Sequence, residues 1–322
     1  MKELKLMINK PEMNNKTISD MVGIPSGKID LVIDTDTFNE IDDQFAITYA
    51  ALSPEKINLK ACYAAPFFNE NSTSPENGME LSYEEINRVL DHIDPKHDID
   101  VYKGSRGYLR DCCPQVSDAA RDLIERSAGY TKDAPLYVVS IGAVTNVISA
   151  VLMCPEIVER IVIVWLGGHP HDWHTASEFN LNQDFMASKM LFDFALPLVH
   201  VPCKNVAEKV SLSLSQMQEK AVGKGAIGEY LLSIFSKHIH NYNLQTKPIW
   251  DITNIAYLVN PSSVITQQVN KPTLSDDKKW QARQSGPVCR VAVDAERDCI
   301  FDDFFSKLAL HAAEKELVTA YE

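Results

Sequence analysis

The sequence predicts a three-layer α/β fold: a mostly parallel central sheet covered by helices on both faces, with a Rossmann-like core. Two observations carry that prediction. Residues 135–141 and 160–166 are continuous apolar runs, the pattern of strands buried on both faces. Such runs alternate with helix-like segments along most of the chain, which is the order expected of parallel strands joined by crossover helices. No internal repeat, linker or shift in composition calls for a second unit, so residues 29–322 are expected to form one domain behind an N-terminal arm, residues 1–28.

The elements follow in order. Residues 31–34 read as a first strand, and Phe45, Ala46, Ile47, Tyr49, Ala50 and Leu52 as the apolar face of a helix. Residues 57–65 alternate as a strand and lead into a loop to Gly78, where Phe67, Phe68 and Tyr83 are expected near the edge of any site. A helix at 82–92, a short strand at 101–102 and a helix at 116–126 come next. The buried strand 135–141 is followed by a helix to Met153, and the buried strand 160–166 ends at Gly167-Gly168. A helix at 185–194 precedes a strand at 197–202, helical patterns run to His240, and strands at 264–269 and 288–293 come before a closing helix at 301–317.

With 322 residues and 45% hydrophobic composition the chain can bury a large core. Its net charge of −13 argues against nucleic-acid binding while leaving small nucleoside ligands open. No run reaches the apolar length of a membrane span, and residues 1–28 lack the apolar core of a secretory signal. Seven scattered cysteines without a Cys-x-x-Cys pair are expected to be reduced thiols of a cytoplasmic protein; vicinal Cys112-Cys113 is the pair with redox potential, against the ordinary role of packing.

The chemistry concentrates where the first strand ends. Asp34, Asp36, Asp42 and Asp43 fall within residues 34–43. Helix capping accounts for one or two acids at the start of a helix, as at Asp42 and Asp43, but not for Asp34 and Asp36 as well. Carboxylates this close repel one another unless donors or a cation neutralise them, and a hard divalent ion that takes oxygen ligands is the simplest neutraliser. Open α/β sheets place their ligands at the same end of the strands.

Together with Ser140-Ile141-Gly142-Ala-Val-Thr-Asn146, Gly167-Gly168 with Glu178-Phe179-Asn180, and Trp250-Asp251, this stretch resembles the inosine-uridine preferring nucleoside hydrolase family, from about Ile29 onward. The resemblance implies Ca²⁺ held by Asp36, Asp43, Asp251 and the backbone carbonyl of Ile141. It implies that Asp42 binds a ribose hydroxyl and that Glu178 and Asn180 hold the outer sugar hydroxyls. The expected reaction is hydrolysis of the N-glycosidic bond of ribonucleosides, through an oxocarbenium-like transition state, with Asp36 as the base toward water. A nucleoside substrate and a homodimer or homotetramer are the implied partners. On residue patterning alone, Glu178 and Asn180 share one side of an extended segment, with Phe179 turned into the core.

Two features depart from the family pattern. Five residues, Thr37 to Ile41, separate Asp36 from Asp42 where the family typically has three, which lets Glu40 intrude on the metal loop. Trp250 stands where many members carry a histidine that protonates the base, and it resembles the purine-preferring members, which activate the base by stacking. Purines are therefore the expected substrates, with Trp250 in the catalytic set and Phe67, Phe68 or Tyr83 beside the base. His240, with His238 and Tyr242, falls in the base-contacting region; His169, His171 and His174 are further acid candidates, and Asp172 sits near a further sugar position.

Two rival readings remain. Asp34-Thr-Asp36 resembles the nucleophile and acid of haloacid dehalogenase-type phosphatases, although Phe38 stands where that family has Thr or Val. A calcium-dependent nucleoside or ribose-binding protein without catalysis is the other.

Overall fold

The structure, a computed structural model, describes residues 10–110 and 113–321, with side chains up to residue 317. Cys112 and residues 1–9 of the N-terminal segment lie outside the described residues. The strands are β1 (Ile29–Thr35), β2 (Ile57–Ala64), β3 (Asp100–Lys103), β4 (Leu136–Ser140), β5 (Ile161–Leu166), β6 (Leu198–Val201), β7 (Ser211–Ser213), β8 (Thr246–Pro248), β9 (Val264–Asn270), β10 (Thr273–Leu274), β11 (Trp280–Gln281) and β12 (Val288–Ala295). The helices are α1 (Asn15–Met21), α2 (Asp43–Ala51), α3 (Pro75–Ile93), α4 (Asp118–Ser127), α5 (Thr145–Met153), α6 (Phe179–Gln183), α7 (Phe185–Asp193), α8 (Leu214–Ala221), α9 (Gly225–Asn241), α10 (Ile252–Val259) and α11 (Arg297–Tyr321).

Eight strands form one sheet in the order β3-β2-β1-β4-β5-β6-β12-β9, parallel except for the edge strand β9. The chain reverses its direction of build between β1 and β4, the switch point where sheets of this kind open a crevice. Alternation along each strand feeds two cores. Leu31, Ile33, Tyr137, Val139, Val162 and Val164 pack under α2, α3, α9, α10 and α11, while Val32, Leu136, Val138, Ile161, Ile163 and Trp165 pack under α4, α5 and α7. The three-layer reading of the sequence therefore holds.

Two of the departures from the expected boundaries have clear local reasons. The helix expected at 82–92 begins at Pro75, because Ser74 caps it by accepting from the Asn77 amide and proline suits the first turn. The N-terminal segment contains α1, capped by Asn14 and fixed to the sheet edge where Asn15 donates to Gly286 and Arg290 donates to Val22.

One buried side chain ties the strand ends at the switch point. Asn146, at the start of α5, donates through Nδ2 to Asp34 Oδ1 (2.8 Å) and to the Ala64 carbonyl (3.3 Å), while its Oδ1 accepts from the Ser105 amide and hydroxyl, each at 2.7 Å. Replacing it would strand these partners in the interior. Asn146→Ala is expected to lower stability by about 3 kcal/mol, read by urea denaturation, because several buried polar groups lose partners at once.

Candidate active site

A cavity of about 880 Å³ opens at the carboxyl end of the sheet, over the switch point. Asp42, Asp251, Ile141, Glu178, Asn180 and Trp250 line it, so six of the residues singled out from the sequence converge there. Asp36 and Asp43 lie just beneath, fully buried. Carboxylate oxygens of Asp42, Asp43 and Asp251 come within 4.8 Å of one another. Asp42 and Asp251 stand at the N-termini of α2 and α10, yet neither side chain makes a capping hydrogen bond. Both helix dipoles instead point their positive ends at the cluster.

This cluster is electrostatically unfinished. Burial and the neighbouring Asp43 carboxylate push the Asp36 pKa well up, and neither Asp36 oxygen receives a hydrogen bond of ordinary geometry, although the Asn39 side chain lies near enough to offset part of the shift. Burial and Asp42 raise Asp43 to about 8, against a hydrogen bond from Thr35. Burial, Asp42, Asp43 and Asp36 raise Asp251. Gly142 packs against Asp36 so closely that an added Cβ would stand 2.9 Å from its Cγ, which keeps the space beside the carboxylate free of protein. Orphaned hard oxygens in a buried cluster fit a divalent cation, and Asp36, Asp43, Asp251 and the Ile141 carbonyl are the groups placed to hold one, with Asp42 beside them paired to Lys247.

Around the cluster the side chains have defined tasks. Asn180 Nδ2 donates to the carbonyls of Ile141 (3.0 Å) and Leu166 (3.1 Å), locking the ends of β4 and β5 together. Glu178 caps α6, accepting from the amides of Asn180 (3.0 Å), Leu181 (3.2 Å) and Gly168 (2.8 Å). Glu178 ends the extended segment and caps the helix, and Phe179 faces the cavity instead of the core because the chain turns into helix at that residue. Asp34 belongs to the floor: Ser140 and Asn146 engage its two oxygens, burial raises it to about 7, and it does not line the cavity. That removes the nucleophile from the phosphatase reading.

Five residues expected near the substrate are not brought to the cavity. Phe67 is fully buried under α3, where its backbone abuts Gly78, and Phe68 points to solvent. Polar tips from the same loop, Asn69, Glu70 and Asn71, line the cavity in their place, and Asn69 and Asn71 both donate to the Asn39 carbonyl. His240 faces outward on α9 and binds the Ser236 carbonyl, since the helical period leaves His238 and Tyr242 on the cavity side. Asp172 is exposed on the loop after Pro170, away from the lining residues, because that loop is held by Trp280 donating to the His169 carbonyl. Tyr83 packs at the core edge with Lys103 over its ring.

Lys247 was not legible in the sequence. It lies on β8, is almost fully buried, and pairs with Glu40 and with Asp42 (3.4 Å). The lengthened metal loop supplies Glu40. Glu85 is the other residue missed: buried at the cavity wall, it accepts from Gln44 (3.1 Å) and Tyr230 and pairs with Arg88.

Comparison with known proteins now decides the family: residues 31–302 match the model of the inosine-uridine preferring nucleoside hydrolases. The chain belongs to this family. A curated relative, the pyrimidine-specific ribonucleoside hydrolase RihB of Escherichia coli, is 29% identical over 144 residues, or 42% of this chain and 46% of that protein. The chain thus spans about half the length of the curated relatives it matches. Among solved structures, a purine-preferring ribonucleoside hydrolase from Gardnerella vaginalis is similar over 88% of this chain and 99% of its own, with a TM-score of 0.72 at 22% identity. An inosine-guanosine nucleoside hydrolase gives a TM-score of 0.70 at 16% identity, covering 87% of this chain and 98% of its own. These likenesses show that this member shares the nucleoside hydrolase fold.

Of the histidines after the glycine pair, His169 lines the cavity, whereas His171 is turned into the interior against His200. His171 Nε2 lies 3.0 Å from His200 Nδ1, and His200 Nε2 lies 2.7 Å from the Gly167 carbonyl, all beneath the cavity wall. Burial lowers His171 from 6.5 to about 4, so it stays neutral in the folded state and its stability contribution is complete above pH 6.5. That contribution is expected to fade as pH falls from 6.5 toward 4. Urea unfolding at stepped pH should show the stability gap between wild type and His171→Asn shrinking over this window; a constant gap would contradict the buried neutral assignment.

Proposed function

We propose that the chain hydrolyses the N-glycosidic bond of ribonucleosides, releasing ribose and free base, with calcium at the carboxylate cluster. The observation that carries this reading is the Asp36 carboxylate, buried and orphaned beside Asp42, Asp43 and Asp251 and kept clear by Gly142. Family membership supports the same reading. When bound, the cation supplies an anchor for sugar hydroxyls and lowers the pKa of a nearby water.

The protein's own groups do the rest. Asp36 takes the proton of the attacking water. Asp42, Glu178 and Asn180 hold the sugar, and because Glu178 and Asn180 are fixed by backbone bonds the sugar meets a preorganised surface. Negative charge around the anomeric carbon stabilises the oxocarbenium character that develops as the bond breaks. Water is kept scarce by burial of the whole cluster.

Purine preference is part of the proposal. Trp250 lines the cavity directly before Asp251, in a position to stack on a base, and a purine retains N7 as a site for solvent protonation. Relatives bear both preferences in their names, pyrimidine-specific for RihB and purine-preferring for the Gardnerella enzyme, so the base is argued from Trp250 itself. A homodimer or homotetramer in the cytoplasm completes the reading; no helix among the described residues is long and apolar enough to cross a membrane.

A panel of purine and pyrimidine ribonucleosides assayed for free ribose tests the function. Inosine and guanosine are expected to turn over, and a calcium chelator to abolish turnover with calcium restoring it; nucleoside binding without ribose release would favour the non-catalytic reading. Trp250→Ala is expected to lower kcat for inosine at least tenfold, the loss of roughly 1.4 kcal/mol of stacking in the transition state. Unchanged inosine turnover in that variant would remove the stacking role.

A further inference from the structure

Lys247 is held in place with unusual completeness. Its backbone is paired opposite Leu212 in the β7–β8 ladder, its side chain is 4% exposed, and its ammonium binds the carboxylates of Glu40 and Asp42. A primary ammonium has three N–H donors, and these two carboxylates take two of them. Among the described residues no further hydrogen-bond acceptor engages Nζ, which stands 6.0 Å from the centre of the Trp250 ring on the cavity wall.

The location follows from ribose chemistry. On the hydrolase reading, on which this inference rests, Asp42 holds a ribose hydroxyl, and a ribose ring hydroxyl lies at most two carbons from the anomeric carbon. Trp250 faces the base attached to that carbon. A cation bonded to Asp42 and set against Trp250 therefore stands at the junction of sugar and base. His238 borders the same side, but burial and the Lys247 charge lower its pKa, which disfavours an imidazolium there, whereas Lys247 already carries its charge.

We propose that Lys247 is a catalytic residue toward the leaving group, its third N–H bonding the departing base in place of the histidine this chain lacks beside Asp251. As the glycosidic C–N bond breaks, its electron pair goes to the base nitrogen. That nitrogen, or its conjugated neighbour, accepts the Lys247 hydrogen bond and takes its proton from solvent, while Lys247 remains an ammonium. The oxygen of water forms the new bond to the anomeric carbon and its proton passes to Asp36. Glu40, brought in by the two extra residues of the metal loop, is the positioning residue that tethers Lys247.

Leaving-group dependence tests the assignment. Inosine needs help for its base to depart, whereas 4-nitrophenyl β-ribofuranoside carries a leaving group that departs without it. In calcium-containing buffer, Lys247→Met is expected to lower kcat for inosine about 100-fold, as for loss of one preorganised donor, and to leave kcat for the nitrophenyl riboside within about fivefold. Lys247→Arg is expected to restore part of the inosine rate, and Glu40→Gln to show a milder loss with the same substrate pattern. If Lys247→Met shows no cooperative melting by circular dichroism, Lys247→Arg and Glu40→Gln decide: a selective loss on inosine supports the assignment.

Equal losses on both substrates, or no loss on inosine, would overturn it, because a purely structural grip on Asp42 affects both alike. Wild-type protein that cleaves the nitrophenyl riboside but not inosine overturns the Lys247 role and leaves the hydrolase reading standing. Cleavage of neither overturns both.

Discussion

Buried like charge is the constraint on which the site depends. Asp36, Asp42, Asp43 and Asp251 are gathered where water solvates them poorly, and mutual repulsion adds to the cost of burial. Helix dipoles from α2 and α10 and the Lys247 ammonium meet part of that cost. The remainder is left for a cation, and this is how a fold stores binding energy for a metal at a fixed place.

The scaffold is arranged so that this cluster does not relax. Asn146 and Asp34 knit the ends of β1, β2 and β4 underneath it, and Asn180 spans the ends of β4 and β5. Asp34 and Asp36 are two residues apart yet have separate work: one is engaged by side-chain donors on both oxygens, while the other receives no hydrogen bond of ordinary geometry. The lengthened loop between Asp36 and Asp42 is similarly restrained, since Asn69 and Asn71 hold the Asn39 carbonyl and Gln44 holds the Thr37 carbonyl. Two extra residues are thereby accommodated without loosening the carboxylates on either side.

Much of the site was legible because its residues sit in short motifs at strand ends. The aspartate stretch, the Ile141-Gly142 turn, Glu178 with Asn180 and Trp250-Asp251 each announce a local geometry, and the parallel sheet brings all such ends to one edge. Phe67 misled because an aromatic in a loop can face either way, and burial against Gly78 chose the interior. His240 misled because a helix shows only part of its circumference to a cavity, and its rotation is set by packing of Ile239 and Phe235 in the core.

The sequence by itself determined the layered, mostly parallel fold and the carboxylates at a strand end, because hydrophobic period and strand-end motifs are local properties. Only the tertiary structure decided which of those carboxylates are saturated and what stands opposite them. Lys247 meets Glu40 across 207 residues and Asp42 across 205, and Glu85 meets Tyr230 across 145. Electrostatic partners at such separations leave no periodicity or spacing to read, since their meeting is a consequence of packing and not of local pattern.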